Sequence, residues 1–423
     1  MQTIKLKVKG LAKKFFEYRI EDDVRIYQLK HTGIALKKSL TKQTFREYGG
    51  CAIEPEKIIF DNYMGRGYGC NSKYVTEELL KSGRNFDIVW TVKEIEKHKD
   101  EFPEGVRLVE YGSKEAMREY YTAGVWVLNY HLIAYFNKGL VKRENQSYIQ
   151  LWHGSFGIKR IENDCDCLTQ SSSWTYLARK NAQNTDYWIS NSTFESGVYR
   201  RAFWSVEQVL EFGHPRNDLF FREDLAVVED KVRKSLGISR GERIALYVPT
   251  FRENLQFPEQ KLDACGLKRV LEERTKESWR IVVRLHPRMQ GALETVCTHV
   301  DGQVVRADGY PDIQELLAAS QIVVTDYSSC IFDFMLTRRP GFLFAPDIKD
   351  YNQERGFYYP LEETPFPLTE SNEELFAAVR NFNRREYEER VEQFLAEKGS
   401  KEDGHAAERV CALIEKIIKE KES

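Results

Sequence analysis

At 423 residues, with 42% hydrophobic and 13% aromatic residues, the chain can bury two ordinary domain cores, and wholesale disorder is excluded. A net charge of −2 argues against a nucleic-acid binder working by bulk electrostatics. No apolar run reaches the roughly 18 residues of a spanning helix, and no apolar h-region follows the N-terminal lysines, so neither a transmembrane helix nor a signal peptide is expected. The charge is uneven. Residues 1–50 hold twelve lysines and arginines against five acids, a balance of +7, which leaves −9 for the remainder. A basic end of this kind suits either an anionic lipid surface or a solvated face. The eight cysteines are scattered, with one C-x-C pair at Cys165 and Cys167 and no second pair at zinc-site spacing, so reduced cysteines and no metal are expected.

Taken in order, residues 1–50 offer a candidate strand at Ile4–Val8 and candidate amphipathic helices at Leu11–Tyr18 and Ile34–Phe45, without a clean period. From Lys57 the pattern turns regular. Strands are predicted at Ile58–Phe60, Phe86–Val92, Val106–Glu110, Val125–Leu128, Ser147–Leu151, Tyr187–Ser190 and Val209–Phe212. Between them lie a glycine-rich loop (Gly65, Gly67, Gly69), a helix capped by Asn71 or Ser72, and helices at Lys114–Tyr121, Thr175–Asn181 and Thr193–Arg201. The helix Leu225–Leu236, stopped by Gly237, marks the passage to a second half. There the alternation restarts, with strands at Arg243–Val248, Arg280–Leu285, Gln303–Val305, Ile322–Thr325 and Gly341–Phe344. Helices are predicted at Lys268–Arg274 and Ile313–Ala319, and from Ser371 the chain reads as helix upon helix. Strands alternating with helices predict an α/β protein of two Rossmann-type, doubly wound domains facing a cleft, with a helical C-terminal end. The predicted division is a basic segment 1–50, a first domain 51–224 and a second domain 225–423.

Five strand ends carry residues suited to phosphate. They are Trp152-His153-Gly154-Ser155, Gly213-His214-Pro215-Arg216-Asn217-Asp218, Pro249-Thr250-Phe251-Arg252, Arg284-Leu285-His286-Pro287-Arg288 and Thr325-Asp326-Tyr327-Ser328-Ser329. Arginine supplies a forked donor, histidine a donor or a base, and a helix start supplies free N–H groups. A single histidine at a strand end is more often a packing residue; five such turns in one parallel fold point to a shared anion site. His153, followed by Gly154, is the candidate general base. His286, between two arginines, suits a phosphate partner better. The glycine loop lacks a Walker lysine pattern, so an acceptor-side or a structural role is at least as fitting.

These motifs, in this order, resemble the CDP-glycerol glycerophosphotransferase family of teichoic-acid primases and polymerases. Cys70-Asn71-Ser72-Lys73-Tyr74 upstream, and Arg338-Arg339-Pro340 and Arg355-Gly356-Phe357-Tyr358 downstream, extend the likeness over roughly residues 57–360. The resemblance implies a GT-B-like fold and transfer of glycerol phosphate or ribitol phosphate from CDP-glycerol or CDP-ribitol to a hydroxyl of a lipid-linked glycan or polyol-phosphate acceptor. CMP leaves, no cofactor beyond the donor is expected, and the enzyme would work in the cytoplasm at the inner membrane face, where an anionic surface is a candidate partner and nucleic acid is not. It implies His153 and His286 as catalytic residues. The donor side would comprise Arg216, Asn217, Asp218, Thr250, Arg252, Arg284, Thr325, Asp326, Ser328 and Ser329. Two departures stand out: Ser155-Phe156-Gly157 where many members have Thr-Pro and a different residue after it, and His214 where a tyrosine is expected. The competing readings are a GT-B glycosyltransferase or epimerase using a UDP-sugar, and a non-catalytic polymer-binding protein on the same fold.

Overall fold

Short β-branched and aromatic runs bounded by polar turns become strands buried on both faces, because helices cover each side of the sheet they form. In the computed structural model the first sheet comprises β1 (Glu54–Asp61), β2 (Asp87–Val92), β3 (Val106–Glu110), β4 (Ala123–Leu128), β5 (Ser147–Gln150), β6 (Tyr187–Ser190) and β7 (Val209–Glu211). All pair parallel, in the order β3-β2-β1-β4-β5-β6-β7. The second comprises β8 (Glu242–Val248), β9 (Ser278–Val283), β10 (Val304–Arg306), β11 (Ile322–Thr325), β12 (Gly341–Phe344) and β13 (Leu368–Thr369), again all parallel, in the order β10-β9-β8-β11-β12-β13. Both sheets therefore reverse direction between their first and fourth strands. The crevices at the carboxyl ends of β1/β4 and of β8/β11 are where such folds take ligands.

The structure describes residues 48–165, 172–204, 206–252, 258–286, 289, 293–299, 302 and 304–422. Residues 51–423 form one unit and 1–50 another, of which only the short 3-10 turn Tyr48–Gly50 is described. The strand and helices predicted within residues 1–47 lie outside the described residues, as do Cys167, Pro287 and Arg288. Cys51, Cys70, Cys265, Cys297, Cys330 and Cys411 are free thiols, whereas Cys165 is disulfide-bonded, against the expectation of reduced cysteines throughout. Among the described residues no helix is long and apolar enough to cross a membrane.

Two features differ from the sequence reading. The helix Cys70–Lys81 starts from Gly69 with no side-chain cap. Asn71 and Ser72, the predicted caps, face elsewhere: the Asn71 amide donates to the carbonyls of Leu151 and Trp152, and the Ser72 hydroxyl donates to that of Asp61. The last helix, Ala406–Glu422, grouped with the second half in the sequence, returns to the first. Its stripe of Val410, Ile414, Ile417 and Ile418 is buried against Ile58, Phe60, Val125 and Val127. Asp218 receives that helix, accepting from the N–H groups of Ala406 (3.0 Å) and Ala407 (2.7 Å).

Candidate active site

The turn after β5 carries His153. Asn71 holds the strand end from one side through its two carbonyl bonds. From the other, His153 Nδ1 lies 2.9 Å from the Asn129 carbonyl oxygen. A carbonyl only accepts, so Nδ1 carries the proton, and Nε2, which makes no hydrogen bond among the described residues, presents its lone pair. Burial lowers the histidine from 6.5 to about 3; the Asn129 bond opposes that fall and the Arg216 charge adds to it. The ring is therefore neutral at pH 7. Rings surround it: Trp152 at 4.3 Å, Tyr63 at 5.1 Å and Tyr130 at 5.3 Å between centroids.

Arg216 ties this turn to the second half. Its Nη2 donates to the Gly154 carbonyl (2.7 Å), while Nε and Nη2 grip both oxygens of Asp333 at 2.9 and 3.2 Å. Asp333 lies in the helix Cys330–Met335, directly after Ser328 and Ser329. One guanidinium thus spans from the residue beside His153 to the helix that follows the serine turn. Arg216 is 2% exposed, and its Nη1 is buried without a hydrogen-bond partner. Behind it, Asn217 donates to Glu402 (2.7 Å) and accepts from Gln314 (3.2 Å), which also donates to Asp333. Phe156 from the first half is fully buried against Phe332 and Phe394 of the second, and its carbonyl accepts from Tyr359 Oη at 2.7 Å. The first departure from the family pattern thus plugs the join between the halves. At the second, His214 is buried with Nε2 2.9 Å from Glu195.

In the second half the charged residues are mutually engaged. Asp326 accepts from the N–H groups of Thr250 (2.9 Å) and Tyr327 (2.6 Å) and pairs with Arg252 (2.9 Å). Arg252 also grips both oxygens of Asp347 and donates to the Thr250 carbonyl, and its plane lies 5.0 and 4.9 Å from the rings of Tyr327 and Tyr351. Thr325 donates to the Val248 carbonyl, and Arg284 to the carbonyls of Ala307 and Tyr310. These groups shape the turn ends. Ser328 and Ser329 differ. Both are partly exposed, Ser329 makes no side-chain cap, and the Ser328 hydroxyl is engaged locally, with a 3.5 Å contact from the Cys330 N–H and a bond to the Cys330 thiol. His286 is also partly exposed, with its ring 5.5 Å from Phe251. The Thr250 hydroxyl is buried without a partner and lines a small cavity with Tyr247, Arg252 and Phe344. No cluster of potential metal ligands occurs among the described residues.

The glycine loop is structural in its details. Gly65 (φ 82°) accepts from the Lys93 N–H, and a Cβ there would lie 2.8 Å from that of Tyr111. Asn71, Asn129, Tyr63, Tyr130 and Asp333 were not singled out from sequence as site residues. Asn71 belongs to the Cys70–Tyr74 motif, but its partners are about 80 residues away.

Residues 45–416 match the family described as CDP-glycerol:poly(glycerophosphate) glycerophosphotransferase. A teichoic acid poly(glycerol phosphate) polymerase of Staphylococcus epidermidis is 30% identical over 87% of this chain, which spans about half (52%) of that longer protein. A teichoic acid glycerol-phosphate transferase of Staphylococcus aureus is 28% identical over 90% of this chain and 98% of its own. The solved structure of the wall teichoic acid polymerase TagF, 28% identical, superposes over 95% of this chain and 99% of its own with a TM-score of 0.77, so the two-sheet architecture is GT-B-like. With the family matched across most of its length, the chain is a member of the CDP-glycerol glycerophosphotransferase family, the transferases of teichoic acid synthesis.

Proposed function

We propose that the chain transfers glycerol phosphate, or ribitol phosphate, from a CDP-alditol to a hydroxyl of a lipid-linked saccharide or polyol-phosphate acceptor and releases CMP. In this reading the first half (51–224) takes the acceptor and the second half, from 225, the donor. The acceptor oxygen forms a bond to the phosphorus bearing the alditol, the bond from that phosphorus to the oxygen bridging it to CMP breaks, and His153 Nε2 accepts the hydroxyl proton. Ser328, Ser329 and His286 meet the pyrophosphate as charge moves onto CMP. Phosphoryl transfer needs alignment and charge neutralisation more than covalent help. The observation that carries the reading is the Nδ1 bond from His153 to the Asn129 carbonyl, which fixes the tautomer a base requires, in a turn that Arg216 bridges to the serine turn. Asp326 and Arg252 contribute by holding the donor turns in shape. We place the reaction at the inner membrane face, with the basic segment 1–50 as the contact to anionic lipid.

The test is CMP release from CDP-glycerol and CDP-ribitol, with a UDP-sugar as control, in the presence of acceptor. The expected result is CMP from at least one CDP-alditol and a loss of 10²-fold or more in kcat for His153→Ala. Absence of CMP from both donors, or full activity in His153→Ala, overturns the reading.

A further inference from the structure

The acceptor must bring its hydroxyl to His153 Nε2, so the surface flanking that atom determines which acceptors fit. That surface is a strip of rings. Tyr63 and Tyr130 flank the imidazole and lie 6.3 Å from one another; Trp174 continues the strip 6.3 Å beyond Tyr130. Tyr63, Tyr130 and Trp174 are each partly exposed, while Trp152, stacked 2° from parallel behind Tyr130, is 5% exposed. Trp174 is also held in place. Its indole N–H donates to Glu162 Oε2 (3.4 Å), and Glu162 Oε1 lies 3.2 Å from Nε2 of the buried His131. The Arg216 guanidinium, the cation beside His153, is bonded to Asp333 and Gly154 through Nε and Nη2, and its remaining Nη1 is buried.

Aromatic faces carry negative potential and attract the polarised C–H face of a pyranose ring. A growing polyol-phosphate chain is flexible, carries a negative charge at every repeat, and has no flat apolar face. A strip of rings anchored by a carboxylate is poorly matched to such a polyanion and well matched to a sugar.

We propose that Tyr63, Tyr130 and Trp174 form the acceptor subsite, that it takes a pyranose ring next to the attacking hydroxyl, and that the preferred acceptor is therefore a saccharide rather than a polyol-phosphate chain. This rests on the transfer reaction proposed above. The two are separated by assaying CDP-glycerol with a panel of lipid-linked disaccharides and, in parallel, with a short oligo(glycerol phosphate). The expected result is a higher kcat/KM with a disaccharide. Trp174→Ala and Tyr130→Ala should each raise the disaccharide KM roughly three- to tenfold, leaving the KM for CDP-glycerol unchanged; Trp174→Phe, which keeps a ring face, should stay close to wild type. Quenching of tryptophan fluorescence by the disaccharide, measured in His153→Ala protein, reads the same subsite without turnover and should be lost on adding Trp174→Phe. Transfer with an unchanged disaccharide KM in Trp174→Ala, equal weakening of donor and acceptor, or preference for oligo(glycerol phosphate) overturns the inference. Absence of CMP from any CDP-alditol instead overturns the transfer reaction, and in that case saccharide quenching alone decides the subsite.

Discussion

The turns after β5 and β11 look alike in sequence: a buried strand, then small polar residues and a functional group. They are built in opposite ways. In the β5 turn the frame comes from the Asn71 amide and the Asn129 carbonyl, and the titratable side chain of His153 keeps one nitrogen open. In the β11 turn the titratable side chain is the frame. Asp326 is saturated by two N–H groups and by Arg252, and the hydroxyls of Ser328 and Ser329 are what remain for a ligand. A residue's chemical type does not decide whether it serves a substrate; its remaining hydrogen-bonding capacity does.

That contrast is tested most severely at Arg252. It is 5% exposed and meets two carboxylates, a carbonyl and two ring faces. Burial opposes its charge, but Asp326 and Asp347 outweigh burial and push its pKa up. Removing one partner of such a cluster leaves buried carboxylates uncompensated, which costs about 3–5 kcal/mol. Arg252→Ala should lower the stability read by urea unfolding by that amount. A variant as stable as wild type with a much raised CDP-glycerol KM would show that Arg252 serves the donor directly, and the contrast would fail.

The serines should behave in the opposite way. Hydrogen bonds to a charged group contribute about 1.5–3 kcal/mol each. Ser328→Ala combined with Ser329→Ala should therefore raise the donor KM tenfold or more, with Tm little changed because the Ser328 hydroxyl bonds only within its own turn, to Cys330, among the described residues. A fall in Tm with an unchanged KM would place the serines with Asp326 in the frame.

Much of this was legible in the sequence, and the part that was not has one cause. The helices Leu225–Leu236 and Ile313–Ala319 and the strands at Val106, Tyr187, Ile322 and Gly341 follow from local periodicity and stop signals, and they occur where the pattern places them. His153 and the serine turn stand out because each is a polar interruption after an apolar strand. What local pattern cannot show is a partner distant in the chain. Arg216 meets Asp333 across 117 residues and Asp218 caps a helix 188 residues away, so both read as free polar groups until the chain is folded. The stripe Val410–Ile418 announces an amphipathic helix without naming the sheet it covers.

The smallest effect concerns Glu402, in the frame behind the His153 turn. Burial raises it from 4.5 to about 8; bonds from Asn217 and the His214 N–H act against that rise, and Asp333 adds to it. The folded chain then holds a proton that the unfolded chain releases, so stability from this group is full below pH 4.5 and is lost as pH rises through 8. Other groups overlap at the acid end. Asp61 and Asp218, both raised to about 6 by burial, contribute the same sign between 3.8 and 6. His153, lowered to about 3, contributes the opposite sign below 6.5. Lys421, lowered to about 8, acts above that value. Glu77, also raised by burial, adds the same sign above 4.5. Among the described groups Glu402 is the carboxylate raised furthest, to about 8, so it sets the slope between pH 6.5 and 8, which approaches about 1.4 kcal/mol per pH unit. Glu402→Gln keeps a neutral group of the same shape, so its unfolding free energy should be nearly flat across that window while wild type declines. Parallel curves for the two proteins would show that Glu402 is ionised in the fold, and that the frame behind the His153 turn carries its charges paired, as the β11 turn does.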